Sequence, residues 1–285
     1  MKKTSVIFCL LIGIIGSSCS QTKKQSAKNP PGYDLNNPVK YNMPAELLEI
    51  SGIAFNQGDN ATIYAEQDED GNIYSFKPGD TQVKQAKFGK HGDYEDVAVA
   101  NNYAVILRSD GTLFSFPLAQ VAAGQITSIN EQKSFLPKGE YEGLHADVFT
   151  GKLYALCKQC PGGNHAKECN GYILNLAADG TITQSGEFSI DVKKIIDIAG
   201  KGKMKFHPSA LAKNPLTKQW YILSSVNKLL VVADENFNVQ QAYPLNSGFL
   251  QPEGMAFDKQ GNLYISNEGD TASPGNISLF KYVKK

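Results

Sequence analysis

Residues 251–268 read Gln251-Pro252-Glu253-Gly254-Met255-Ala256-Phe257-Asp258-Lys259-Gln260-Gly261-Asn262-Leu263-Tyr264-Ile265-Ser266-Asn267-Glu268, and much of the chain consists of worn copies of this unit. Apolar Met255 and Phe257 alternate with smaller or polar neighbours, Gln260-Gly261-Asn262 supplies a turn, and Leu263 and Ile265 resume the alternation. The unit therefore reads as a β-hairpin. Its first residues recur as Ile50-Ser51-Gly52-Ile53-Ala54, Tyr94-Glu95-Asp96-Val97-Ala98, Tyr141-Glu142-Gly143-Leu144-His145 and Pro208-Ser209-Ala210-Leu211-Ala212. One column of the repeat holds Ser51, Glu95, Glu142, Ser209 and Glu253.

Successive members of that column are 44, 47, 67 and 44 residues apart, the period of a four-stranded propeller blade. The copies predict an all-β fold, a five-bladed β-propeller of four-stranded antiparallel blades, with six blades as the alternative. The long step reads as one blade with insertions, because it contains a Cys-rich loop (157–169) and a short helical segment near 191–199. The outer strand of the second blade is expected over 129–135. The last copy has only three strands before the chain ends, so 38–43 is expected to supply the fourth and close the ring, which removes a free sheet edge.

Composition is that of an ordinary globular protein, 41% hydrophobic and 20% charged, and its 28 basic residues balance 28 acidic ones. That balance leaves no electrostatic footprint for nucleic acid. The chain is expected to be a monomer. At the N-terminus Lys2 and Lys3 precede an apolar run from Val6 to Ile15 and then Gly16-Ser17-Ser18-Cys19. The run is too short to span a bilayer, and the pattern resembles a bacterial lipoprotein signal, 1–18, with the Cys19 thiol as acyl acceptor. Residues 19–37, rich in Lys, Gln, Ser, Asn and Pro, read as a flexible tether and 38–285 as the propeller. The expected location is the cell envelope: an outer-membrane lipoprotein facing the periplasm or the cell surface, held by the lipid on Cys19.

The first strand of each propeller blade lines the central channel, so the column predicts Glu95, Glu142 and Glu253 around one mouth, with Ser51 and Ser209 completing the ring. Clustered carboxylates are costly unless a cation or a shifted protonation neutralises them. An all-oxygen set suits Ca²⁺ better than Zn²⁺. The alternative is that each Glu only hydrogen-bonds the backbone of the neighbouring blade. Asp68-Glu69-Asp70-Gly71-Asn72 lacks the spacing of a calcium loop and reads as a solvated hairpin turn. Asn267 and Glu268 can face either the mouth or solvent. Cys157, Cys160 and Cys169, with His165 among them, point in an exported protein to a disulfide whose pairing stays open, zinc being the alternative. No local motif announces a nucleophile.

The segments Glu49-Ile50-Ser51-Gly52-Ile53-Ala54, Tyr94-Glu95-Asp96-Val97-Ala98, Tyr141-Glu142-Gly143-Leu144 and Gln251-Pro252-Glu253-Gly254-Met255-Ala256-Phe257-Asp258, in that order, resemble the SdiA-regulated (YjiK-like) family of exported bacterial proteins. The resemblance spans about residues 40–285. It implies a five-bladed propeller, distantly similar to NHL-repeat propellers, with a bound calcium ion. The Glu-Gly pair also resembles the metal-ligating Glu of gluconolactonase-type propellers, which are metal-dependent hydrolases. Two functions are therefore expected. One is a lipid-anchored, calcium-binding module taking a small molecule or protein at the channel mouth. The other is a metal-dependent hydrolase of lactones, esters or phosphoesters with His145 or His91 as base. For the anchor, palmitate label is expected to follow Cys19: Cys19→Ala should lose it completely, and label retained in that variant would refute lipidation there.

Overall fold

Runs such as Trp220-Tyr221-Ile222-Leu223 and Leu229-Leu230-Val231-Val232-Ala233 are apolar without interruption, which a strand tolerates only when both of its faces are buried. Both are. Trp220, Ile222, Leu229 and Val231 point to one core cluster and Tyr221, Leu223, Leu230 and Val232 to another, on opposite sides of one sheet. The computed structural model describes residues 29–160 and 167–284; the signal segment, Cys19 and His165 lie outside them.

After β1 (Val39–Asn42), the first blade is β2 (Ile50–Asn56), β3 (Asp59–Gln67), β4 (Asn72–Phe76) and β5 (Lys84–Lys87). The second is β6 (Tyr94–Ala100), β7 (Tyr103–Arg108), β8 (Leu113–Pro117) and β9 (Asn130–Gln132), with helix α1 (Leu118–Ala122) before β9. The third is β10 (Glu140–Ala146), β11 (Lys152–Gln159), β12 (Glu168–Leu176) and β13 (Ile182–Asp191), followed by α2 (Val192–Ala199). The fourth is β14 (Ala210–Lys213), β15 (Trp220–Ser224), β16 (Leu229–Ala233) and β17 (Val239–Pro244). The last is β18 (Gln251–Phe257), β19 (Leu263–Glu268) and β20 (Asn276–Phe280), and β1 pairs antiparallel with β20 to complete it.

Five four-stranded antiparallel sheets result, so the long repeat step is one blade with α2 as its insertion. Asp191 caps α2 by accepting from the Lys194 N–H at 3.1 Å, and Gly200, with φ of 63°, ends it. β9 is shorter than expected, because the chain leaves the sheet after Gln132 and turns Leu136 into the core between the second and third blades. The core is not one mass. It forms five wedges, one between each pair of neighbouring blades, and the wedge joining first and last blades contains Ile53, Ile63, Tyr264 and Ile277.

Residues 29–37, assigned to the tether on composition, lie against the ring. Tyr33 and Leu35 are buried among Tyr221, Phe257 and Phe280. The Tyr33 hydroxyl donates to Gly261 O at 2.6 Å and accepts from Asn214 Nδ2 at 2.8 Å. Two apolar anchors in a polar stretch carry no periodicity, which is why composition hides them. Each fully buried side chain of this size is worth roughly 1.5–3 kcal/mol. Deletion through residue 28 is therefore expected to leave the melting temperature unchanged, whereas deletion through residue 37 should cost several kcal/mol. Equal thermal melts for the two truncations would mean that Tyr33 and Leu35 contribute nothing.

Candidate functional site

The repeat column owes its direction to β-bulges. Pairing of β6 with β7 steps from Tyr94–Arg108 to Asp96–Leu107, leaving Glu95 as the extra residue. Glu142 is skipped in the same way between β10 and β11, and Glu253 between β18 and β19. Ser51 falls in the shifted stretch of β2. A bulge leaves its extra residue out of the ladder and re-aims the side chain. The small residue that follows is set by the next blade. A Cβ on Gly52 would lie 2.4 Å from Asp96 Oδ1, and one on Gly254 would lie 2.3 Å from Ser51 O.

Part of the column does bond the neighbouring backbone. The Ser51 hydroxyl donates to Glu95 O and the Ser209 hydroxyl to Pro252 O, both at 3.0 Å. Asp96 accepts from the Leu144 N–H at 2.7 Å. The three glutamates behave differently, for they feel one another's charge across the mouth. Burial first, and then Glu142, holds the Glu95 carboxyl well above the usual range. Burial also raises Glu142 against the pull of Lys158, and raises Glu253, whose carboxylate Ser225 hydrogen-bonds. Lys158 Nζ contacts Glu142 Oε1 and lies 3.0 Å from Glu140 Oε1. It is a cation that the repeat pattern does not reveal.

Three more carboxyls join them. Glu66, near the end of β3, is fully buried: Oε1 accepts from the Gly52 N–H at 2.6 Å, and Oε2 has no partner. Asp68 is pushed up to about 6 by burial and then by Glu49 and Glu69, and its buried Oδ1 is also without a partner. The turn at 68–72 is therefore not wholly solvated. Glu268, half-buried and paired with Gln251, whose amide donates to its Oε2, is pushed up to about 8 by burial and then by Glu253, Asp68 and Glu49. Beside it Asn267 is buried, with Oδ1 unpartnered. Their sequence signal is faint: Glu66 and Asn267 are each the next-to-last residue of a blade's second strand, beside its bulge.

Among the described residues no group of three or more His, Cys, Asp or Glu side chains is placed so that it could hold a metal ion. Of the two candidate bases, His145 does not stand at the mouth, and His91 stands in solvent beside the 68–72 turn. His91 is exposed, 3.8 Å from Glu69. His145 lies three residues beyond Glu142 on β10, roughly 10 Å along a strand, and lines a pocket at the other end of the channel. Cys157 and Cys160 form a disulfide, while buried Cys169 is a free thiol pushed up to about 12 by burial.

The sequence model of the family described as SdiA-regulated matches residues 36–271. No curated protein matches the chain by sequence. Among solved structures, a glutaminyl cyclase from Myxococcus xanthus is similar with a TM-score of 0.57 at 14% identity, covering 87% of this chain and 97% of its own. A luciferin-regenerating enzyme gives 0.54 at 11% identity, covering 87% and 96%. Regucalcin from Agrobacterium tumefaciens, described as a calcium-binding protein, gives 0.51 at 15%, covering 89% and 94%. Identities this low carry the fold alone.

A carboxyl that binds its proton more tightly in the fold than in the unfolded chain contributes fully below its unfolded pKa and loses that contribution as pH rises through the folded value. For Glu268 the window runs from 4.5 to about 8, and Asp68 adds to its lower part. Thermal stability in chelator is thus expected to fall as pH rises across this window, with Glu268→Gln flattening the upper part. An unchanged slope in that variant would remove Glu268 from the mouth.

Proposed function

Because the chain belongs to the SdiA-regulated family and gathers these carboxyls at one channel mouth, we propose that it is a lipid-anchored, calcium-binding propeller of the bacterial envelope, serving to bind a ligand or protein partner. The observation that carries the metal is the set of buried oxygens without donors: Glu66 Oε2, Asp68 Oδ1 and Asn267 Oδ1. A buried acceptor left unpaired costs about 1–3 kcal/mol, more when charged. Three of them among carboxyls that repel one another call for a cation. The donor set is all oxygen, carboxylate and amide, and so fits a hard ion.

Glu66, Asp68, Asn267 and Glu268 would hold the ion with Glu253, while Glu95 and Glu142 complete the acidic wall. When bound, Ca²⁺ supplies the positive charge that the mouth lacks. Lys158, between Glu140 and Glu142, already neutralises the side nearest the third blade. A binding module is favoured over a hydrolase, since a hydrolase needs a base held beside its metal, whereas His145 lines the other pocket and His91 is solvent-exposed with a single contact at 3.8 Å to Glu69. The lipid on Cys19 would place the mouth within reach of envelope partners.

A ligand bound only by the folded ring stabilises it by about 2.7 kcal/mol at a hundredfold excess over its dissociation constant. For a domain of this size that is a rise in Tm of roughly 5–10 °C. Added calcium is expected to produce that rise over EDTA, and Glu253→Gln and Glu66→Gln to reduce it strongly. No shift in the wild type, or an undiminished one in both variants, would defeat the proposal.

A further inference from the structure

At the channel end opposite the acidic mouth, the inner strands finish around a pocket of about 70 Å³. Its floor is apolar, built from Ile53, Val97, Leu144, Met255 and Phe257, and its wall carries His145, Asp147, Lys213 and Lys259. Asp147 is almost wholly buried; its Oδ1 accepts from the Phe149 N–H at 3.0 Å and its Oδ2 from Lys213 Nζ at 3.0 Å. Asp258 is equally engaged: Oδ1 accepts from the N–H groups of Gln260 and Asn262, and Oδ2 from the side chains of Asn60 and Asn262. Both acids at this end are therefore committed to donors. Lys259 is not; among the described residues its ammonium has no ion pair.

His145 adds a directed donor. Its Nε2 accepts from the Lys213 backbone N–H at 3.4 Å, which leaves the ring proton of the neutral imidazole on Nδ1. Burial pushes this histidine down to about 4, so the neutral form persists. A buried Asp–Lys pair is expensive compared with apolar residues of similar size, and here Lys213 of the fourth blade meets both Asp147 and His145 of the third, so the cluster joins two blades as well as lining the pocket. An apolar floor, a lysine without an ion pair and a lining histidine N–H are the features of a site for an amphipathic small molecule.

We propose that this pocket binds a short-chain monocarboxylate, with its hydrocarbon tail on the channel floor and its carboxylate between Lys259 and the His145 N–H. The charge is set by the cation without a partner. A phosphate would bring a second negative charge to an end already lined by the carboxylates of Asp147 and Asp258, and burying it would be costly. The tail length is set by volume: an apolar cavity of about 150 Å³ holds benzene, so half that space takes roughly three or four carbons. Phe149, half exposed at the rim with Lys218 stacked on its face, borders the way in. The site is separate from the acidic mouth and does not rest on calcium binding.

The chain carries its own reporter. Trp220 is the single tryptophan of the sequence, and its ring lies 5.4 Å from the His145 ring, edge to face, with Lys213 Nζ 5.4 Å from its centroid. Isobutyrate and isovalerate should change Trp220 emission saturably, and calorimetry on the same full-length protein should return a matching dissociation constant, in calcium and in EDTA alike. Isovaleramide and isoamylammonium should bind at least tenfold more weakly. Lys259→Met should weaken isovalerate at least tenfold without moving the Tm, and His145→Gln should weaken it as well. Saturation that is equal for acid, amide and amine, no saturation by either method, or full affinity in Lys259→Met would each overturn the assignment. A loss confined to EDTA would make the effect part of the acidic mouth and would also overturn it.

Discussion

Neighbouring blades touch most tightly where one inner strand passes the next, and the rest of the molecule is arranged around that contact. At Gly52 and Gly254 there is no room for a Cβ, because Asp96 and Ser51 of the adjoining blades occupy its place. The same passage is sewn by side chains that reach one blade onward: Ser51 to Glu95, Asp96 to Leu144, Ser209 to Pro252. Bulges coincide with this close approach at Gly52 and Gly254, and a bulge leaves the residue before it out of the ladder. Structure and acidity thus meet at this end.

The consequence is electrostatic. Rotational repetition sets Glu95, Glu142 and Glu253 on one rim, and the ends of the second strands add Glu66, Asp68 and Glu268. Such a rim holds its charge only with help, from protons, from Lys158 or from a bound cation, and burial strengthens whichever is present. The opposite end of the channel is different in kind. There the acids are saturated with donors, the floor is apolar, and one lysine, Lys259, has no ion pair among the described residues. A single channel therefore presents two unlike chemistries, one for cations and one suited to a small anion.

Fold and column were legible because they rest on periodic signals. A hairpin repeated at blade spacing specifies blade number, and a last copy one strand short specifies closure by the N-terminal strand, which β1 supplies. A Glu or Ser recurs five times in the column, four times at a bulge and four times before a Gly or Ala, which makes it a local signal. Residues whose role depends on nonlocal burial had no such signal. Tyr33 and Leu35 sit in a polar stretch and are fixed only by Asn214, Gly261 and Phe257, far away in sequence.

By itself, the sequence determined the architecture, the blade boundaries to within a few residues, and which column meets at the mouth, since alternation and period are properties of the chain alone. Tertiary structure decided which groups share that mouth. Glu66 and Asp68 belong to a strand end and a turn that reads as solvated, Lys158 follows a cysteine, and Asn267 and Glu268 were free to face either way. It also divided the histidines, leaving His91 in solvent and setting a half-buried His145 at the far end of the channel. The reason is physical. A proton, an unpaired oxygen or an ion pair takes its energy from everything packed around it, and those neighbours come from different blades.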